Sequence, residues 1–394
     1  MPVADAIKEV LGSQSMIRKM FEEGILLKKK HGADKVFDFS LGNPDLEPPP
    51  AFYRVLQKLA REDKRGSHGY MPNAGYPEVR EALARRASAE QELSIDSSHI
   101  VMACGAAGGL NVVLKSILNP GDEVIVSRPY FMEYRPYVTN HGGCITEVDA
   151  LPDFNLDLEG IGAKLSPRTA AVLINSPHNP TGRIYPKETL DSLAAILVEH
   201  GNKCGRFPYL VSDEPYRDLA YDGAKVPPVL SIYPESIVVN SYSKSLSLAG
   251  ERIGFVLVGP EVKDKQNLIA AFVYATRILG FVNAPALMQR IVAELTYAKV
   301  DVDVYARRRA AFTKILDEAG IEYAKPEGAF YLFCKVPGGD DSAFVEHLKK
   351  HLILGVPGTG FGTPGWLRFA YCVDEKIIKA SEDAFKKAME EWKS

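Results

Sequence analysis

Short runs dense in valine and isoleucine recur through the middle of this 394-residue chain, several of them separated by stretches long enough for a helix. HIVMA (99–103), EVIVS (123–127), AAVLIN (170–175), PYLVSD (208–213), SIVVN (236–240) and GFVLV (254–258) are such runs; 107–118 and 187–199 are helical segments between them. Strands apolar on both faces need cover on both faces, and intervening helices supply it. The pattern therefore predicts an α/β fold, a mainly parallel central sheet sandwiched by helices. Near Asn283-Ala284-Pro285 the pattern changes to long helices over roughly 286–320, then GAFYLFCKV, a helix near 341–351, LILGV, WLRFAY and a closing helix. That reads as a second, smaller α+β unit. Pro44, Pro48, Pro49 and Pro50 mark a boundary loop, so the expected division is a large domain over 51–285 and a small domain of 286–394 with the N-terminal segment 1–50.

Composition serves mainly to exclude. Forty-seven basic against fifty acidic residues leave a net charge of -3, with no global pull toward nucleic acid or an anionic membrane. No apolar stretch approaches a membrane span, and the opening MPVADAIKEVLGSQSMIRKM lacks the apolar core of a signal peptide. The five cysteines, Cys104, Cys144, Cys204, Cys334 and Cys372, show no CxxC or metal-ligand spacing; buried reduced thiols in a cytoplasmic protein are the expectation.

In open α/β sheets ligands bind at the carboxyl ends of the strands, so the residues just beyond each apolar run are informative. HIVMA leads to Cys104-Gly105-Ala106-Ala107-Gly108-Gly109, AAVLIN to SPHNPTG, PYLVSD to Glu214-Pro215-Tyr216, and SIVVN to Ser241-Tyr242-Ser243-Lys244. The glycine-rich turn is neither GxGxxG nor a Walker loop, which disfavours a nucleotide. It is either tight strand-to-helix packing or an anion cradle of free helix amides, which Ser241, Ser243 and Arg252 could complete. Lys244 is either a solvated surface lysine or a desolvated amine able to form a Schiff base with a carbonyl. Asp213 is either a turn acid or a group that holds a proton on a pyridine nitrogen. A phosphate cup, an imine-forming lysine and a pyridinium acid together describe pyridoxal 5'-phosphate.

These residues resemble the class I/II aminotransferases of the fold-type-I pyridoxal-phosphate family, related to aspartate aminotransferase. The resemblance runs from Gly42-Asn43-Pro44 to the Arg368 region and is carried by NSPHNPTG (175–182), SDEPY (212–216) and SYSKSLSLAGERIG (241–254). It implies that Lys244 anchors the cofactor and moves the proton of the substrate α-carbon. Asp213 would bind the ring nitrogen, and Asn179 and Tyr216 the phenolic oxygen. Gly105, Ala106 and Ala107, with Ser241, Ser243 and Arg252, would hold the phosphate. Phe131 would stack on the ring, or else pack as a core aromatic. Arg368, with Gly42 and Asn179, would grip the substrate carboxylate; its bland alternative is a strand-end salt bridge. Tyr70, in HGYMPNAGY, would reach the phosphate of a partner subunit, which makes a homodimer with shared sites the expected assembly.

The activity so implied is transfer of the amino group of an L-amino acid to a 2-oxo acid such as 2-oxoglutarate, by a ping-pong mechanism, with the small unit moving over the site to exclude water. Dicarboxylate specificity would need a second cation. Arg277, one position off the family's partner-subunit arginine, is either that cation or a helix-surface residue, and Ile17 and Arg18 are candidates for the entrance. Two rivals stand beside transamination: a C–S β-lyase on the same cofactor, and a non-catalytic regulatory homologue.

Overall fold

The structure, a computed structural model, describes residues 3, 4, 7, 8 and 16–393. Every Val/Ile-rich run lies in one seven-stranded sheet: β1 (Ile100–Ala103), β2 (Glu123–Arg128), β3 (Cys144–Asp149), β4 (Thr169–Asn175), β5 (Tyr209–Asp213), β6 (Ser236–Ser241) and β7 (Gly254–Val258), in the spatial order β1-β7-β6-β5-β4-β2-β3. The β3-β2-β4-β5-β6 succession is parallel, and β7 runs antiparallel to both its neighbours. Alternate residues feed separate cores. Met102, Ile125, Val172, Ile174, Leu210 and Val238 face one helical layer, while Val101, Val124, Val126, Leu173, Val211 and Val239 face the other. Each such side chain contributes about 1.5–3 kcal/mol by leaving water, which is why strands this apolar are stable only between two layers. The strand β3 is not marked by an apolar run, because an edge strand with mostly half-exposed side chains needs no such run.

A smaller antiparallel sheet comes next in the chain: β8 (Tyr323–Ala324), β9 (Tyr331–Lys335), β10 (Val356–Pro357) and β11 (Trp366–Ala370), ordered β10-β11-β9-β8. Phe333 lies opposite Arg368 and Tyr331 opposite Ala370. Helices Val302–Ala319, Asp341–Lys350 and Glu382–Lys393 cover this sheet around an aromatic core that includes Phe312, Phe333, Phe344, Phe369 and Phe385.

The N-terminal segment returns to this smaller unit. Phe37–Asp38 pairs in parallel with Ile353–Leu354, Phe39 N donates to Leu354 O at 3.0 Å, and Ala370 N donates to Phe39 O at 2.8 Å. Farther on, Arg308 grips Asp45 through both carboxylate oxygens at 2.6 and 2.8 Å. Residues 39 and 45 are thus pinned to the small unit, with Gly42 between them. Helix Ala286–Glu294 sends Met288, Ile291 and Val292 into the core beneath the large sheet, whereas Val300 and Tyr305 belong to the core of the small one.

All five cysteines are free, but only Cys334 and Cys372 are buried; Cys104 is intermediate, and Cys144 and Cys204 are exposed. The expectation of buried thiols fails at those two because Cys144 opens the edge strand and Cys204 ends the helix Lys187–Cys204. Among the described residues no helix is long and apolar enough to cross a membrane.

Candidate active site

At the carboxyl edge of the large sheet the chain leaves β1 for the helix Gly105–Ile117, β4 for the segment that carries Asn179, β5 for Tyr216, and β6 for the turn that carries Lys244. The antiparallel β7 starts at the same edge, which brings Arg252 there as well. Gly42, Ala106, Ala107, Phe131, Asn179, Asp213, Tyr216, Ser241, Ser243, Lys244, Arg252 and Arg368 all line one cavity of about 280 Å³. Gly105 stands directly behind it. At φ +70 a Cβ there would come within 2.7 Å of the Arg252 guanidinium, so glycine is what lets that group approach the helix start.

Lys244 Nζ donates to Gly42 O at 2.8 Å and lies 5.4 Å from the centre of the Phe330 ring. Burial pushes the amine down to about 8; Cys372 opposes this, and Arg368 and Arg252 add to it. A neutral amine is therefore within reach near physiological pH.

Asp213 is buried. Tyr134 Oη donates to its Oδ2 at 2.6 Å, and Oδ1 has no hydrogen-bond partner among the described residues. Burial pushes this carboxyl up to about 7, against the Tyr134 hydrogen bond and with Glu214 adding to the rise. A buried acceptor left unpaired on a cavity wall is costly unless a donor or cation arrives from the cavity.

The helix Gly105–Ile117 begins with no side-chain cap, so its first amides are free to hold an anion. Arg252 reaches across the same point, donating to Ala249 O at 3.0 Å and to Cys104 O at 3.5 Å, with no acid among its described partners.

Arg368 is 2 % exposed, a guanidinium buried without a carboxylate counter-ion among the described residues. Nη1 donates to Asn179 Oδ1 at 3.0 Å and Nη2 to Ser40 O at 2.7 Å, while Nε has no partner among the described residues. It sits 4.6 Å from the Tyr331 ring centre and 4.8 Å from that of Phe361. Neutral carbonyls and ring faces leave the charge available to an incoming carboxylate; the alternative, a strand-end salt bridge, is not formed among the described residues.

Three further aromatics, unmarked in the sequence, line the cavity: Tyr134, Tyr137 and Tyr331. Tyr331 Oη is 2.7 Å from Tyr216 Oη. Nor does sequence reasoning single out Asn175. Its Nδ2 donates to Asp213 O and its Oδ1 accepts from Asn179 N, both at 2.7 Å, tying β4 to β5 at the floor of the site. Phe131 meets Tyr134 edge to face at 5.7 Å. Tyr70 and Arg277 do not reach this cavity: both are exposed, Tyr70 at 91 %. Ile17 and Arg18 fall in the helix Met16–His31, and their side chains lie outside the described residues.

A desolvated amine, an unpaired acid, an anion cradle and a lone buried guanidinium in one cavity define a site for amino-group chemistry on carboxylate substrates. The family described as aminotransferase class I and II matches residues 34–382. The aspartate/prephenate aminotransferase of Thermus thermophilus is 32% identical over 368 residues, covering 92% of each chain. Among solved structures, an amino transferase from Eubacterium rectale superposes with a TM-score of 0.96 at 37% identity, covering 100% of both chains. The aspartate aminotransferase of Thermus thermophilus with maleate gives 0.85 at 29%, covering 95% of this chain and 97% of that one. The chain belongs to the aminotransferase class I and II family, and its activity is transamination.

Proposed function

We propose that the cavity binds pyridoxal 5'-phosphate and that the enzyme moves the amino group of an L-amino acid, aspartate in the first instance, to 2-oxoglutarate. The observation that carries this reading is the pairing of Lys244 with Asp213: a weakly basic amine and an acid whose Oδ1 is unpartnered, on the walls of one cavity. The residues fit the group. The amides of Ala106 and Ala107, with Gly105 behind them and Ser241, Ser243 and Arg252 beside them, would take the phosphate. Asp213 Oδ1 would take the ring nitrogen, Asn179 and Tyr216 the phenolic oxygen, and Phe131 a ring face. When bound, the cofactor supplies an aldehyde that captures amines and a protonated ring that accepts the electron pair of the broken Cα–H bond.

The chain's own groups do the rest. Arg368 fixes the substrate carboxylate, with the Asn179 amide and Gly42 bounding that corner, and so turns the α-hydrogen toward one side of the cavity. Lys244 Nζ, pushed down to about 8, takes up that proton and gives it back on the other side of the shuttle. Asp213 holds a proton on the ring nitrogen; a cation opposite it would draw its own pKa back down.

Among the described residues Lys244, Arg252 and Arg368 are the cations on the cavity wall, and each already has a task. A second carboxylate, as in aspartate, therefore calls for a cation from outside. Tyr70 shares a surface cleft with Phe281, Val282 and Asn283, and Val282 N donates to Thr276 O beside Arg277. The two exposed side chains flank one segment, so a homodimer that delivers Tyr70 to the partner's phosphate would carry Arg277 in the same direction. In this reading the boundary expected at 285 moves past the helix Ala286–Glu294, because Met288, Ile291 and Val292 pack in the core beneath the large sheet; the small domain takes the remainder together with the segment before Pro50, and the enzyme works in the cytoplasm.

Borohydride treatment of the holoenzyme followed by peptide mass mapping should place the cofactor on Lys244, and Lys244→Ala should lower turnover at least about a thousandfold. Aspartate with 2-oxoglutarate should yield equal oxaloacetate and glutamate. Release of ammonia and pyruvate without an acceptor would instead mark the elimination rival.

A further inference from the structure

Tyr331 touches three groups with tasks in the site and has none itself. It lies on β9, 2 % exposed, and because Phe333 stands opposite Arg368, residue 331 shares their face of the sheet one diagonal step away. Its ring packs 4.6 Å from the Arg368 guanidinium carbon, and its hydroxyl is 2.7 Å from that of Tyr216. The same hydroxyl fills the place where a Cβ at Gly42 would project, beside the carbonyl that accepts from Lys244.

Two hydroxyls that share one hydrogen bond cannot both donate to it. If Tyr216 donates, its only proton is spent on Tyr331; if Tyr331 donates, the Tyr216 proton is free to point into the cavity. The Arg368 guanidinium lies over the Tyr331 ring, whereas Tyr216 shares its burial with the Asp213 carboxyl, so Tyr331 is the better placed of the two to donate. Tyr331 is pushed up to about 12 by burial, held back by Arg368 and Tyr216 and raised by Cys372. Tyr216 is driven well above its usual value by burial, by Tyr331 and by Asp213, with Arg368 opposing.

We propose that Tyr331 is a positioning residue that donates to Tyr216, aims the Tyr216 proton at the cavity, and transmits the charge state of the carboxylate site at Arg368. The inference rests on the reading in which Tyr216 meets the cofactor's phenolic oxygen. A carboxylate on Arg368 offsets the positive charge that acidifies Tyr331, which then donates less strongly, and Tyr216 in turn donates less strongly into the cavity.

The test is a pH titration of the visible absorption of four holoenzymes, wild type, Tyr331→Phe, Tyr216→Phe and the double variant, with and without succinate, a dicarboxylate with no amino group to react. Tyr331→Phe should raise the pKa of the band by about half a pH unit and shrink the change that succinate produces. It should add nothing to Tyr216→Phe, since it acts through that hydroxyl. A band that titrates as in the wild type, or an effect additive with Tyr216→Phe, overturns the inference alone. A wild type with no visible band at all overturns the cofactor reading and takes this inference with it. Should Tyr331→Phe fail to hold cofactor, Tyr331→His, which keeps a donor, must restore the wild-type pKa; a shifted value there is equally fatal.

Discussion

At the scale of the residue, Asp213 and Lys244 are each held away from their ordinary protonation by burial, in directions that give opposite pH signatures. Asp213 is raised from 3.8 to about 7, so the folded chain keeps a proton that the unfolded chain has lost. The stability this contributes is complete below pH 3.8 and disappears as pH rises through 7. Lys244 is lowered from 10.5 to about 8, so the unfolded chain binds the extra proton; the penalty is full below pH 8 and is relieved as pH climbs to 10.5. Urea unfolding of the apoenzyme beside Asp213→Asn should therefore show the wild type losing ground to the variant between pH 4 and 7, by up to about 4 kcal/mol. A difference that stays flat across that range would contradict the buried, unpaired carboxyl. With cofactor present the slope should weaken, because a cation opposite Oδ1 favours the charged form.

At the scale of the element, the first turn of Gly105–Ile117 could work as an anion cradle beside Arg252 only because residue 105 has no side chain. Gly105→Ala combines a left-handed φ with a methyl pressed against Arg252, and should weaken cofactor binding at least about tenfold, by quenching of intrinsic fluorescence, while the apoenzyme loses about 1–2 kcal/mol. Equal affinity would mean that this turn does not hold the phosphate. Sequence reading reaches this turn, and Lys244, Asp213 and Ser241 with it, because each sits at or just past the end of a strand that announces itself by apolar residues on both faces. It does not reach β3, whose partial exposure hides it, or the reversed direction of β7, since burial looks the same whichever way a strand runs. Nor can it reach Tyr134 and Tyr331, whose partners Asp213 and Tyr216 lie 79 and 115 residues away. Spacing along a chain carries no record of such meetings.

At the scale of the whole molecule, the proposal that the cavity borrows Tyr70 from a second copy can be tested without a new structure. Lys244→Ala and Tyr70→Ala should each be nearly inactive, yet mixing them under conditions of subunit exchange should restore roughly a quarter of wild-type sites, one per heterodimer. No recovery despite demonstrated exchange would mean that each chain completes its own site. The bond from Lys244 Nζ to Gly42 O has a consequence on the same scale. The amine rides on the turn after β6, while the carbonyl rides on a segment pinned to the small unit at Phe39 and Asp45. A tilt between the two bodies that breaks this contact would also admit water, and because burial is the chief cause of the amine's lowered pKa, its basicity would rise as the site opens. Hinge angle and basicity are thus one coordinate, and the attitude of the molecule can be followed with a titration curve.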